Sequence, residues 1–183
     1  ASQFDYEAEV AFQTGDLGTG ADYDGIAVNT EFGYTFDSNL QPRLFGGATL
    51  LEGPDSTGGD QGFNRLFSDW EYSEFLSNTD LTNIILGRLG ISLQATEKIG
   101  ITIVATHFEL DEEGAGSVVG ADFGVGGSED TLGQELGFYL TYAYSDDVAM
   151  EFGAARFFPE EDYWGSGADD DASYLSAEIS ISF

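Results

Sequence analysis

Apolar and polar residues alternate with a period of two along most of the chain, and helical spacing is scarce. Residues 3–13 set Phe4, Tyr6, Ala8, Val10 and Phe12 on one side, with Asp5, Glu7, Glu9 and Ala11 opposite. Residues 23–36 place Ile26, Val28, Phe32, Tyr34 and Phe36 against Ala27, Asn29, Glu31, Gly33 and Thr35. In 40–51, Leu44, Ala48 and Leu50 oppose Arg43, Gly47 and Thr49; in 81–95, Ile85, Leu89, Ile91 and Leu93 oppose Thr82, Arg88, Ser92 and Gln94. Residues 99–110 gather Ile99, Ile101, Ile103 and Ala105 on one face. Residues 135–145 set Leu136, Phe138 and Leu140 against Glu135, Gly137 and Tyr139, and 148–158 carry Val148, Met150, Phe152 and Ala154 on their apolar side. The closing stretch "LSAEISISF" puts Leu175, Ala177, Ile179, Ile181 and Phe183 opposite Ser176, Glu178, Ser180 and Ser182. Eight strands are predicted.

The connections add a second regularity. Tight turns at 37–39, 96–98 and 145–147 fall strictly between longer links at 15–20, 52–80, 111–132 and 159–172. In an up-and-down meander this order collects the short turns at one end and the long loops at the other. Transmembrane β-barrels have that layout, with strands of about 10 residues crossing an apolar band. The competing reading is a soluble antiparallel barrel or sandwich with the apolar faces turned inward. The opposite faces, rich in Gly, Ala, Ser, Thr and Glu, are poor material for a core but could form a wet exterior. The loop asymmetry, the aromatic residues near strand ends and the terminal Phe183 favour the membrane. The expected fold is an all-β, transmembrane, antiparallel up-and-down β-barrel with eight strands in one domain over 1–183. It is either a small barrel or the last eight strands of a larger one.

Composition sharpens this picture. The chain of 183 residues has 34 Asp and Glu against 5 Lys and Arg, a formal net charge of −29. Nucleic acid is excluded as a partner, because phosphate binding needs clustered cations. Disorder is excluded by 14% aromatic residues recurring in register. Without cysteine there is no disulfide framework and no thiolate chemistry.

The stretch "AVNTEFGYTFDSNLQPRLFGGATLLEG" resembles a segment of the bacterial alginate-export family of outer-membrane barrels. "FNRLFSDWEYSEF" is similar to that family's long extracellular loop, and "LGQELGFYLTYAYSDDVAMEFGAARFFPEEDY" to its late hairpin, ending in Phe157 and Phe158. The resemblance covers essentially the whole chain as the C-terminal part of such a barrel. It implies the outer membrane of a Gram-negative bacterium, with outer-membrane lipids and lipopolysaccharide as surroundings. It also implies that the assembly machinery reads the C-terminal strand, with Phe183 as membrane insertion signal. Since family barrels have about twice as many strands, another chain or further strands are expected to complete the wall.

Strand parity places Glu7, Glu9, Glu31, Arg43, Arg88, Glu135, Glu151 and Glu178 on the inner face as candidate lumen-lining residues, with Asp5 beside them. The resemblance implies a cationic lumen conducting a polyanion, whereas an acid-rich wall repels polyanions and favours cations. Alternatively, Arg43 and Arg88 pair with neighbouring Glu and fill the space. The acidic loop runs "GPDSTGGD", "ELDEEGAG" and "FPEEDYWGSGADDDAS" could offer oxygen ligands to divalent cations, but none has EF-hand spacing. A solvated acidic surface accounts for them, so neither a metal nor another cofactor is expected. Trp70, Tyr72, Tyr163 and Trp164 flank these loops as an outer aromatic girdle or as packing over the mouth.

The sole histidine, His107, lies near the long-loop end of its strand with no motif to orient a Ser or Asp partner. The expected function is therefore a porin-like channel passing small solutes or polysaccharide, not an enzyme. Two alternatives are a closed structural or adhesion barrel working through its acidic loops, and an outer-membrane enzyme using His107.

Overall fold

The computed structural model describes residues 3–16, 22–54, 62–63, 73–76, 82–112, 130–164 and 170–182. Eight strands run in sequence: β1 (Gln3–Asp16), β2 (Asp22–Thr35), β3 (Arg43–Leu51), β4 (Ile84–Thr96), β5 (Ile99–Leu110), β6 (Thr131–Ala143), β7 (Val148–Pro159) and β8 (Ala172–Ile181). One helical turn, α1 (Glu161–Trp164), interrupts the last long connection. Each strand pairs antiparallel with the next, giving a single sheet in the order β1 to β8. The expected up-and-down, all-β architecture is thus present. The sheet is open: β1 and β8 are its edges and do not pair with each other.

Local chemistry explains the three short turns. Thr96 Oγ1 accepts from the Lys98 and Ile99 amides at 3.2 and 3.1 Å, turning the chain between β4 and β5. Between β6 and β7, the Ser145 amide donates to the Val148 carbonyl at 3.1 Å, and the Asp147 amide to Ser145 Oγ at 3.4 Å. The first turn is wider than the three residues predicted. Gln41 is left-handed (φ 43°), the Phe36 amide donates to the Pro42 carbonyl at 2.9 Å, and β3 begins only at Arg43. Proline has no N–H for the ladder, so the strand starts after it.

Register fixes which faces point where. The outward side carries Phe12 at 76% exposure, Leu89 at 62%, Leu175 at 83% and Ile179 at 63%, an apolar surface spread over every strand. Ile101, Phe138 and Ile179 form no dry centre, since Phe138 and Ile179 are exposed on that outward side. Among the described residues no helix is long and apolar enough to cross a membrane.

The inner side departs from the expected row of small and hydrophilic groups. Toward the long-loop end, Ala27, Leu51, Ile84, Leu86 and Phe108 are buried together with Leu110, Leu132 and Phe157. Phe63 and Leu76 from the β3–β4 connection and Tyr163 from α1 complete this cluster. Loop segments folded over the sheet supply the cover, so strand positions that alternation assigns to water become a core. Side chains as fully buried as Leu86 (1%) and Phe108 (0%) each contribute about 1.5–3 kcal/mol.

Candidate functional site: a charged inner face

One cross-strand row runs Glu7–Glu31–Gly47–Arg88–Thr106–Glu135–Phe157–Ala172, each residue directly opposite the next. Four of the eight predicted inner-face residues lie on this single row. Glu9 stands opposite Asn29 one step toward the long loops, and Glu151 stands opposite Glu178 toward the short turns. Arg43, opposite Thr35 and Ser92, starts from a lower row than its partners. All eight therefore share a face. Phe183 lies outside the described residues, as do Trp70, Tyr72 and part of each acidic loop run.

Arg43 organises the β1–β4 half of this face. Its Nη2 meets Asp5 Oδ1 at 2.5 Å and Glu31 Oε1 at 2.9 Å, while Nε donates to Asp5 Oδ2 at 3.1 Å. Arg88 Nη2 approaches the second oxygen, Glu31 Oε2, at 3.6 Å. Two carboxylates and two guanidiniums thus form one chain across four strands. Gly33 makes the reach possible, because a Cβ there would overlap the Arg43 guanidinium. The guanidinium also lies 5.2 Å from the centre of the Phe45 ring. Pairing of the arginines with neighbouring acids, foreseen as the alternative to a free cationic lining, is what the geometry has. Glu7, Glu9, Glu151 and Glu178 remain in excess. Glu151 and Glu178, directly opposed like charges, border a cleft of about 280 Å³ near the short turns with Thr141 and Ser180.

The β5–β8 half is built around Glu135, which is only 4% exposed. Ser73 donates its hydroxyl to Glu135 Oε2 at 2.5 Å, and the Glu74 amide donates to Oε1 at 3.2 Å. Ser73 Oγ in turn accepts from the Phe75 and Leu76 amides at 3.1 and 2.9 Å, capping the turn it belongs to. Phe75 packs on Phe157 and Tyr174 at 5.8 and 6.3 Å between ring centres. Glu135 is therefore an anchor for the β3–β4 connection and not an open lining group. Sequence parity located it but could not reveal Ser73, 62 residues away.

Above this anchor, Trp164 donates its indole N–H to the Leu132 carbonyl at 2.7 Å. Burial pushes the Tyr163 phenol in α1 above its ordinary pKa, keeping it neutral. Asn83 ties the loops together: its side chain accepts from the Glu112 amide at 2.7 Å and donates to the Glu112 carbonyl at 3.0 Å. His107 turns the other way, on the outward side, with Nε2 2.8 Å from Glu109 Oε1. Among the described residues no three His, Asp or Glu side chains converge in a metal-holding group.

The inner face can therefore order water and cations along its unpaired carboxylates, while its arginines are engaged with acids. No individual curated protein matches the chain. The sequence model of the alginate export family matches residues 1–174, nearly the whole length, and the chain belongs to the alginate export family.

Proposed function

We propose that this chain supplies eight adjoining strands to the wall of an outer-membrane conduit for small hydrophilic solutes. The apolar side of the sheet faces hydrocarbon and the charged side faces water. The observation that carries the reading is the division of the sheet: exposed Phe, Leu and Ile on one side, and Glu7, Glu9, Glu31, Arg43, Glu151 and Glu178 on the other. Family membership supports export through an outer-membrane barrel. An unpaired sheet edge in lipid leaves backbone groups unsatisfied at several kcal/mol each. In this reading the edges of β1 and β8 are covered by further strands, from this or another chain.

The finer claim concerns charge. Six open inner-face acids (Asp5, Glu7, Glu9, Glu31, Glu151 and Glu178) stand against Arg43 and Arg88, both committed to ion pairs. Such a surface favours cations and neutral solutes over polyanions. No catalytic residue is assigned. The test is the reversal potential of the full-length protein in a planar bilayer under a salt gradient. Cation preference is expected, reduced in Glu151→Gln/Glu178→Gln and raised in Arg43→Gln. Anion preference, or high-affinity block by a polyanionic oligosaccharide, contradicts the charge assignment; absence of current contradicts the conduit.

A further inference from the structure

On the inner face, one row nearer the short turns than the charged one, the order across the sheet is Gly33–Phe45–Gly90–Val104–Gly137, each residue opposite the next. All three glycines are buried, whereas Phe45 and Val104 keep part of their surface open. Planar side chains cover the glycines. A Cβ at Gly90 would strike the Phe45 ring, and one at Gly33 the Arg43 guanidinium. A Cβ at Gly137 would stand 2.8 Å from Tyr139 Cε2. Tyr139 itself starts one row lower, opposite Thr102 and Gly153. Its ring leans up the strand across Gly137 and along Gly153, whose Cβ would lie 3.4 Å from Tyr139 Cδ1. The Glu74 carboxylate stands at the Tyr139 hydroxyl group.

Both rings therefore lie flat on the wall. Each has one side on glycine backbone and, being only partly buried, turns the other toward the lumen. Phe108 and Phe157, by contrast, are enclosed in the core beneath the loops. The Phe45 and Tyr139 rings come to one level, over β4 and β6, two strand spacings or about 10 Å apart. Val104 fills the gap on β5. An apolar strip thus crosses a wall that is otherwise polar. Glu31 and Arg88 border it toward the long loops, and the hydroxyl groups of Ser92, Thr102 and Ser176 border it toward the short turns.

We infer that Phe45, Val104 and Tyr139 form a stacking platform for an uncharged saccharide, with one sugar ring on each aromatic ring. The ligand class follows from the mixture of surfaces. A pyranose ring carries C–H groups on its face, which suit the negative face of an aromatic ring. Its rim carries hydroxyl groups, which suit the carboxylate and hydroxyl borders of the strip. The acidic wall repels uronates and sulfated sugars, and a purely apolar solute would leave the borders unpaired. The inference rests on the conduit reading above and names the substrate class of that conduit.

The test is block of the salt current of the full-length protein in a planar bilayer by maltotriose, cellotriose and mannotriose, with a trimeric uronate for comparison. Saturable block by an uncharged trisaccharide is expected. Its half-blocking concentration should rise about tenfold in Phe45→Ala and in Tyr139→Ala. Tyr139→Phe, which keeps the ring, should restore the block, whereas Gly137→Ala, which lifts the ring from the wall, should weaken it. Leu44→Ala, on the outward side, should block like the parent. A conducting protein that no uncharged trisaccharide blocks, or whose block is equal in Phe45→Ala, Tyr139→Ala and the parent, overturns the platform and leaves the conduit standing. Tighter block by the uronate overturns the choice of an uncharged sugar. Absence of current overturns the conduit and this inference with it.

Discussion

Gly33 lies directly beneath the Arg43 guanidinium, and its missing side chain is what lets Arg43 reach Asp5 and Glu31 from a lower row of the sheet. Gly33→Ala should therefore displace Arg43 and break both ion pairs at once. The expected effect is a small drop in the unfolding midpoint, because the displaced group is the mobile end of a partly exposed side chain. Urea unfolding in detergent micelles measures it, and Arg43→Gln in the Gly33→Ala background should recover part of the loss. An unchanged midpoint would show that the guanidinium relaxes freely.

Ser73 couples a loop to the wall through Glu135. Ser73→Ala removes the donor to a carboxylate that is nearly fully buried and the acceptor for the Phe75 and Leu76 amides. A buried polar group left unsatisfied costs about 1–3 kcal/mol. Hydrogen exchange at the Phe75 and Leu76 amides should accelerate by roughly tenfold or more in Ser73→Ala, while exchange in β2 stays as it was. Equal protection in the two proteins would mean that Phe75 and Leu76 packing alone holds the segment.

Asn83 combines a left-handed backbone (φ 56°) with two side-chain hydrogen bonds to Glu112 and 1% exposure. Asn83→Ala keeps the disfavoured conformation and loses both bonds, so it should cost about 2–4 kcal/mol. Asn83→Gly loses the bonds and accepts the conformation without penalty, so it should cost less. Thermal melting of the two variants in detergent checks the order. The reverse order would remove the backbone from the explanation.

Most of the sheet was legible from alternation because every strand has one apolar side, and a period of two leaves a single register that keeps it there. Shared parity likewise placed Glu7, Glu31, Arg88 and Glu135 on one face, and the structure adds that they fall on one row. The inner core was missed for a physical reason. Leu51, Ile84, Leu86 and Phe108 point to the side that alternation assigns to water, and only folded loop segments make that side dry. A signal was present: Leu50–Leu51 and Ile84–Ile85–Leu86 are apolar on both faces at the long-loop ends of β3 and β4, the mark of two-sided burial. The Ser73 anchor and the passage of Arg43 over Gly33 were not legible. Each depends on where a loop or a long side chain lands, and strand spacing carries no record of that. The helical turn at Glu161–Trp164 sits in a short acidic stretch with no apolar period to announce it.

Spin-label scanning along β8 tests the division of the sheet most directly, with single nitroxides at residues 174–181 in the full-length protein in lipid bilayers. Labels at 175, 177, 179 and 181 are predicted to be relaxed by membrane-dissolved oxygen, and those at 174, 176, 178 and 180 by a water-soluble nickel chelate, in opposite phase with a period of two. The opposite phase, or no alternation, would contradict the assignment of the apolar face to lipid and the charged face to water.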